Sequence, residues 1–258
     1  MTFFDSIILG ILQGVTEFLP VSSSGHLAIL EKLIGEQEVP LLYDIILHVA
    51  SLLAVMIFFR KKIWELIKSF ADKTAKKDHF YILMVVLSTF VTGGMVVFTK
   101  PLVYYLRANP VFMVGSFLFT ACVLMVAQIL FKKASKNKEV GIKDSIFIGF
   151  FQGIAVLPGV SRSGSTIAAA LLMKIPAEKA VEYSFMLSIP AILGALVLEI
   201  AKGSMVSIDL SIAFVGFIAS FAASIVSLKF LVLLIKKTVL YPFAIYLFIL
   251  AMVLPFVF

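Results

Sequence analysis

Glu17 is an ionisable residue inside an otherwise apolar stretch, where a carboxylate is costly to desolvate and commonly marks a site. Gln13 stands one helical turn earlier, so on a helix the two side chains share a face. Together they offer oxygen ligands of the kind a hard divalent cation takes, with water and phosphate oxygens filling the rest of the shell. A hydrogen bond along one helix face is the plainer use of the same spacing. Ser22, Ser23, Ser24 and Gly25 then open a second apolar piece. Their hydroxyls and backbone N–H groups make an anion cradle supported by the helix dipole, or alternatively cap that helix. His26 falls in its first turn, within reach of a bound phosphate as general acid for a leaving group, as base for a serine, or as nucleophile. In the other half of the chain, Pro158-Gly159-Val160-Ser161-Arg162-Ser163-Gly164-Ser165-Thr166 repeats the cradle with Arg162 at its centre. A guanidinium there suits a phosphate clamp, because it stays charged and donates several hydrogen bonds; a capping or snorkelling arginine is the structural alternative. Ser161, Ser163 and Thr166 supply its hydroxyls.

The elements that must position these residues are membrane helices. Of the 258 residues, 61% are hydrophobic and 14% charged, with a mean hydropathy of +1.10, against about half and about a quarter in soluble domains. Apolar runs at 41–59, 80–98, 111–131, 180–200, 211–234 and 241–258 approach the ~20 residues a spanning helix needs. Two further pairs, 3–19 with 25–34 and 142–157 with 163–172, consist of pieces too short to be ordinary spans, each interrupted by a Pro/Ser/Gly-rich break. That is the pattern of re-entrant half-helices, since irregular backbone at membrane depth is tolerated only around a cavity or inside protein. No basic residue precedes the first apolar run and no clean cleavage pattern follows it, so that segment is expected to stay in the protein. Cys122, the single cysteine, excludes an intrachain disulfide and a cysteine metal site.

The short pairs resemble one another. Gly10-Ile11-Leu12-Gln13-Gly14 ahead of Ser22–His26 matches Gly149-Phe150-Phe151-Gln152-Gly153 ahead of Ser161–Ser165 at an offset of 139, and Tyr43–Leu47 weakly matches Tyr183–Leu187. The chain reads as one membrane domain, 1–258, made of repeat 1 at about 1–131 and repeat 2 at about 142–258. The net charge of +7 sits mainly in basic loops at 60–78 and 132–143, which act as cytoplasmic topology signals and not as a nucleic-acid surface. Residues 35–40, with Glu36 and Glu38, then lie outside, the first re-entrant pair opens outward and the second inward. The expected fold is an all-α polytopic membrane protein, an inverted-topology repeat with six full spans and two re-entrant half-helix pairs. Such repeats gather their unwound backbone near the bilayer midplane. His48, Asp44, Glu182 and Glu199 lie in or beside apolar runs away from the hydroxyl clusters, which gives them paired structural roles near span ends; His79, in the basic loop, is expected to be solvated.

The run from Gln13 through Glu17 to His26, and the run from Pro158 through Arg162 to Thr166, resemble the two motifs of the bacterial undecaprenyl pyrophosphate phosphatases of the bacitracin-resistance type. The resemblance in length, span pattern and duplication covers essentially the whole chain. It implies hydrolysis of undecaprenyl pyrophosphate to undecaprenyl phosphate and inorganic phosphate, recycling the carrier for peptidoglycan and other cell-wall polymers. It also implies that Glu17, Ser23, His26 and Arg162 are essential, with a divalent ion, Mg²⁺ or Ca²⁺, near Gln13 and Glu17. The first motif position is acidic in some relatives and Gln here, and Ser24 stands where Thr also occurs. The implied setting is the bacterial plasma membrane, with the Glu17–His26 mouth toward the exterior, a polyprenyl pyrophosphate as partner, and a homodimer left open. Lipid phosphatases of the acid-phosphatase type are excluded, because no histidine follows Ser161-Arg162. A polyprenyl-phosphate transporter or flippase is the rival from another class, since broken helices in inverted repeats also build transporters. Glu17 and His26, present in one half only, favour the enzyme.

Overall fold

Where lipid replaces water, backbone N–H and C=O groups must be satisfied within the segment, and every element among the described residues is a helix. The computed structural model describes residues 1–34, 41–108, 111, 113–131, 138–201, 209–236 and 239–257. In chain order the helices are α1 Phe3–Thr16, α2 Ser23–Leu33, α3 Leu41–Phe58, α4 Arg60–Ser69, α5 Lys76–Ala108, α6 Met113–Leu130, α7 Ile142–Ile154, α8 Arg162–Leu172, α9 Ala177–Ala201, α10 Leu210–Lys236 and α11 Tyr241–Val257. Both short pairs fold as two half-helices around a break, α1 with α2 and α7 with α8. Within the long helices, Lys76–Thr99, Met113–Leu130, Ala177–Leu198 and Leu210–Ile235 are long and apolar enough to cross a membrane. A fifth span follows if α3 and α4, bent by 75° at Phe59, count together; α11, at 17 residues, is apolar but shorter. The protein is a multi-pass membrane protein.

Two segments differ from expectation. The basic run after Phe59 is helix α4 and not loop: Ile63, Trp64, Leu66 and Ile67 recur at helical spacing between its lysines, giving an amphipathic helix where only the charge count had been legible. Helix α5 continues past Thr99 through Pro101 to Ala108, about ten residues beyond the expected apolar run. Residues 35–40 and 132–137, on which part of the orientation argument falls, and the side chain of Glu199 lie outside the described residues.

The short helices are held by the glycines that mark the repeat. Along α1, a Cβ on Gly10 would sit 2.5 Å from the carbonyl oxygen of Gly216 in α10, and one on Gly14 would strike Ser220 and Ala223. Along α7, a Cβ on Gly149 would lie 2.6 Å from the carbonyl oxygen of Ser88 in α5, and one on Gly153 would strike Met95. Small residues let membrane helices approach at backbone distance, where dispersion and interhelical hydrogen bonds hold them. Two fully buried tyrosines occupy corresponding places beside these contacts. Tyr43 Oη lies 2.8 Å from Ser6 Oγ and donates to the Ser6 carbonyl, while Tyr183 Oη lies 2.7 Å from Ser88 Oγ and donates to the Met84 carbonyl.

The basic segments share one end of the bundle. Lys62 sits 5.1 Å over the ring of Tyr81, which packs edge-on against Tyr183, and Lys62 pairs with Asp78 at 3.3 Å. One helical turn before Tyr183, Lys179 pairs with Glu139 at 2.6 Å, and Lys138 pairs with Asp144 at 3.1 Å. Phe58 and Phe59 from the end of α3 and Glu178 and Glu182 from the start of α9 line a cavity of about 200 Å³ there. His79 is half-buried in place of fully solvated, its Nε2 2.7 Å from the carbonyl oxygen of Ser69 at the end of α4. A ring N–H at a helix C-terminus can donate to one of its free carbonyls, which explains why it folds back.

Candidate active site

The two breaks have the same construction and meet face to face. Helix α1 ends at Glu17; after a turn, Ser22 accepts a hydrogen bond from Gly25 N at 3.3 Å and caps α2, whose first residue is Ser23. In the second break Ser161 accepts from Gly164 N at 3.1 Å and caps α8, whose first residue is Arg162. Ser23 and Arg162 therefore hold equivalent positions, at helix N-termini where unpaired N–H groups and the dipole favour an anion. Gly25 abuts the Phe117 ring and the Cα of Gly159, Gly164 abuts Pro20, and Ser163 Oγ donates to the Leu19 carbonyl at 3.2 Å. Gly159, at φ +87°, has the backbone conformation that only glycine adopts freely. Ser22 adopts φ +72° without that freedom, a strain of order 1 kcal/mol that surrounding packing must hold.

Across this junction, Arg162 Nη2 forms an ion pair with Glu17 Oε1. The Glu17 side chain is 5% exposed and that of Arg162 18%. The other carboxylate oxygen, Oε2, accepts from Ser23 Oγ at 2.6 Å and from Gln13 Nε2 at 3.0 Å. One carboxylate thus binds the clamp residue of the second half, the candidate nucleophile of the first, and the amide one turn behind it.

A family model for bacitracin resistance protein BacA matches residues 6–253 of the chain. The chain belongs to this family. Among its relatives, the undecaprenyl-diphosphatase of Treponema denticola is 40% identical over 256 residues, covering 96% of this chain and 94% of the relative. That of Christiangramia forsetii is 36% identical, covering 96% of each, and that of Methanosphaera stadtmanae 38%, covering 94% and 93%.

In this BacA-family protein Ser23 and His26 have different partners. Ser23 is held by Glu17, and His26 is engaged elsewhere: Nδ1 lies 2.7 Å from the Ser22 carbonyl oxygen and Nε2 2.6 Å from Tyr246 Oη. A base for a serine is one of the three roles that the sequence leaves open for His26. On a helix, residues three apart are neighbours, but Glu17 reaches Ser23 from the preceding turn. His48 is a correction, since it belongs to the site and not to a span end. Its Nδ1 lies 2.8 Å from Gln13 Nε2 and 3.3 Å from Glu17 Oε2. Neither His48 nor Tyr246 neighbours a motif in sequence; the signal for His48 was a polar ring within the apolar run of α3, whereas tyrosine in α11 carried none, being common at membrane interfaces.

The remaining cradle residues divide. Ser24 is exposed, with its hydroxyl 3.4 Å from that of Ser22, and is free to meet a ligand. Ser161 and Ser163 are buried and spend their hydroxyls on the cap and on the Leu19 carbonyl. Thr166 is fully buried, bonded to the Arg162 carbonyl and to Ser184 Oγ at 2.6 Å, so it packs α8 against α9 in this structure.

For a divalent ion the donor chemistry fits a substrate-borne cation. Among the described residues no three His, Cys, Asp or Glu are grouped to cage a metal. Gln13 Oε1, however, is buried without a hydrogen-bond partner while Gln13 Nε2 is bonded to Glu17. An orphaned amide oxygen beside a carboxylate is a hard-oxygen pair, which suits an ion that arrives with phosphate oxygens and water.

Proposed function

We propose that the chain is an integral-membrane undecaprenyl-diphosphatase, which cleaves undecaprenyl pyrophosphate into undecaprenyl phosphate and inorganic phosphate and so recycles the lipid carrier for peptidoglycan synthesis. The observation that carries this reading is the Glu17 carboxylate joined at once to Arg162 from the opposite half and to Ser23. A binding site alone would need the cationic cradle; it would not need a hydroxyl hydrogen-bonded to a buried carboxylate.

The mechanism follows from what each group can release. An incoming pyrophosphate competes with Glu17 for Arg162, whose planar fork matches phosphate oxygens. As the guanidinium turns to the phosphate, Glu17 Oε2 keeps its hydrogen bond from Ser23 Oγ and is placed to take that proton. Ser23 Oγ then bonds to the terminal phosphorus, its proton passes to Glu17, and the bond from that phosphorus to the bridging oxygen breaks, releasing the lipid monophosphate. In the second step a water oxygen bonds to phosphorus, the Oγ–P bond breaks, Oγ recovers its proton from Glu17, and His26 takes the water's proton. Arg162 and the helix N-termini stabilise the charge shared over the equatorial oxygens, the main source of catalysis in phosphoryl transfer. Glu17 and Gln13 Oε1 would hold a divalent cation, Mg²⁺ or Ca²⁺, which when bound would neutralise phosphate charge. His26 as nucleophile is disfavoured, since both its nitrogens are engaged.

The setting follows the positive-inside distribution: a plasma-membrane protein whose basic end is cytoplasmic and whose Glu17–His26 mouth faces the exterior. The halves 1–131 and 142–258 form the inverted repeat, supported by the matched glycine contacts of α1 and α7. Inorganic phosphate release from undecaprenyl pyrophosphate by purified protein in detergent tests the reading, with and without chelator. Release is expected from the wild type with added Mg²⁺ or Ca²⁺ and is lost with chelator, in Glu17→Ala and in Arg162→Ala. No release from folded wild type would overturn it in favour of a transporter.

A further inference from the structure

Every polar contact of the His26 ring is taken. The Ser22 carbonyl oxygen at 2.7 Å only accepts, so Nδ1 carries the hydrogen. In the neutral ring Nε2 is then the acceptor, and the Tyr246 hydroxyl at 2.6 Å donates to it. The two rings stack at 13° with centroids 5.6 Å apart, and Phe117 closes the other side edge-on at 5.9 Å. His26 is 9% exposed and Tyr246 44%. No proton can enter or leave Nε2 while this contact stands except through the tyrosine oxygen.

We propose that Tyr246 is a catalytic residue, the proton relay between the attacking water and His26. This rests on the phosphatase reading above and extends it to a residue of α11, 220 positions from its partner. In the second step the water's proton goes to Tyr246 Oη as the tyrosine's own proton goes to His26 Nε2. Tyr246 ends neutral, His26 ends as imidazolium, and the water oxygen forms the new bond to phosphorus as Ser23 Oγ leaves. On release of phosphate the extra proton returns to solvent by the same two atoms in reverse. The groups facing His26 among the described residues are the Val21 and Ser22 backbone, Phe117 of α6 and Tyr246 of α11, so the tyrosine is the one of these that can carry a proton.

Tyr246→Phe keeps the stacked ring and removes only the hydroxyl. It is expected to lower kcat by about 10-fold to 100-fold, a part of what general acid–base catalysis supplies, with KM falling alongside it, because slowing only the second step leaves kcat/KM set by the first. Because only the second step is slowed, undecaprenyl phosphate should appear in a burst equal to the enzyme concentration ahead of inorganic phosphate. The double variant Tyr246→Phe/His26→Ala should be no slower than His26→Ala. A proton inventory in mixed light and heavy water should show fewer protons in flight for Tyr246→Phe than for wild type. Independently of turnover, nitrogen-15 spectra of the histidine-labelled protein, which has three histidines, should show His26 protonated at Nδ1. Wild-type kcat in Tyr246→Phe, additive loss in the double variant, or a resting His26 protonated at Nε2 would each overturn the relay while leaving the phosphatase standing. Absence of turnover in the wild type would instead overturn the reading beneath it.

Discussion

Removing the guanidinium at position 162 should cost both stability and activity, by separable amounts. Glu17 is 5% exposed on its side chain and Arg162 is the permanent cation paired with it; Ser23 and Gln13 are neutral donors. Deleting one member of a buried pair strands the other charge and costs about 3–5 kcal/mol. For a domain of this size, where 1 kcal/mol shifts Tm by roughly 2–4 °C, Arg162→Ala should melt roughly 6–20 °C below wild type. The double variant Glu17→Gln/Arg162→Met has no stranded charge and should recover most of that loss while staying inactive. Arg162→Lys should keep much of the stability yet still lose about 100-fold in turnover, because an ammonium lacks the bidentate fork. Arg162→Ala should lose at least about 1,000-fold. Thermal unfolding by circular dichroism in one detergent, beside phosphate release, reads both. The reasoning is refuted if Arg162→Ala melts with wild type, or if the double variant melts no higher than the single.

Two further outcomes test other links. Ser23→Ala should abolish covalent trapping of labelled phosphate and reduce turnover at least about 1,000-fold, whereas labelled protein persisting in that variant would remove the serine from the mechanism. Gly14→Ala forces a methyl into Ser220 and Ala223, while Gly93→Ala meets nothing within 4 Å; the first should lose about 1–3 kcal/mol and the second should leave Tm unchanged, so equal behaviour would show that α1 does not pack on α10 at backbone distance.

Most of this was legible because membrane insertion imposes simple rules on sequence. Apolar length located the long helices, and Pro/Ser/Gly breaks located both half-helix pairs, since backbone freed from helical bonding must find partners there. The motifs supplied Glu17, Ser23 and Arg162, which the fold then brought to one carboxylate. What escaped were residues whose role depends on packing between distant helices. His48 and Tyr246 arrive from α3 and α11, and no local periodicity records that their neighbours are Gln13 and His26. Helix α4 was hidden for the opposite reason, its lysines masking an amphipathic spacing. Thr166 illustrates the converse error: a hydroxyl in a motif was read as facing a ligand when it faces Ser184.

The duplication explains why there is one site and not two. At the offset of 139, Ser22 corresponds to Ser161 and Gly25 to Gly164, and these residues keep the same jobs in both halves, capping and close approach. Among the positions that differ are the ones given charge and proton transfer in the proposed mechanism: Glu17 corresponds to Val156, Ser23 to Arg162 and His26 to Ser165. A symmetric pair of breaks facing each other would present two equivalent cradles, each lacking what catalysis needs from the other. In the proposed mechanism, divergence at these three positions places base, nucleophile and proton acceptor on one side and the phosphate clamp on the other. The reciprocal pairing, Val156 with Ser23's side, has no ion pair to form. In the proposed mechanism this asymmetry selects a single orientation of pyrophosphate across the junction, its terminal phosphorus toward Ser23, and a chain carrying glutamate at 156 and arginine at 23 would be expected to lose that selection before it lost the fold.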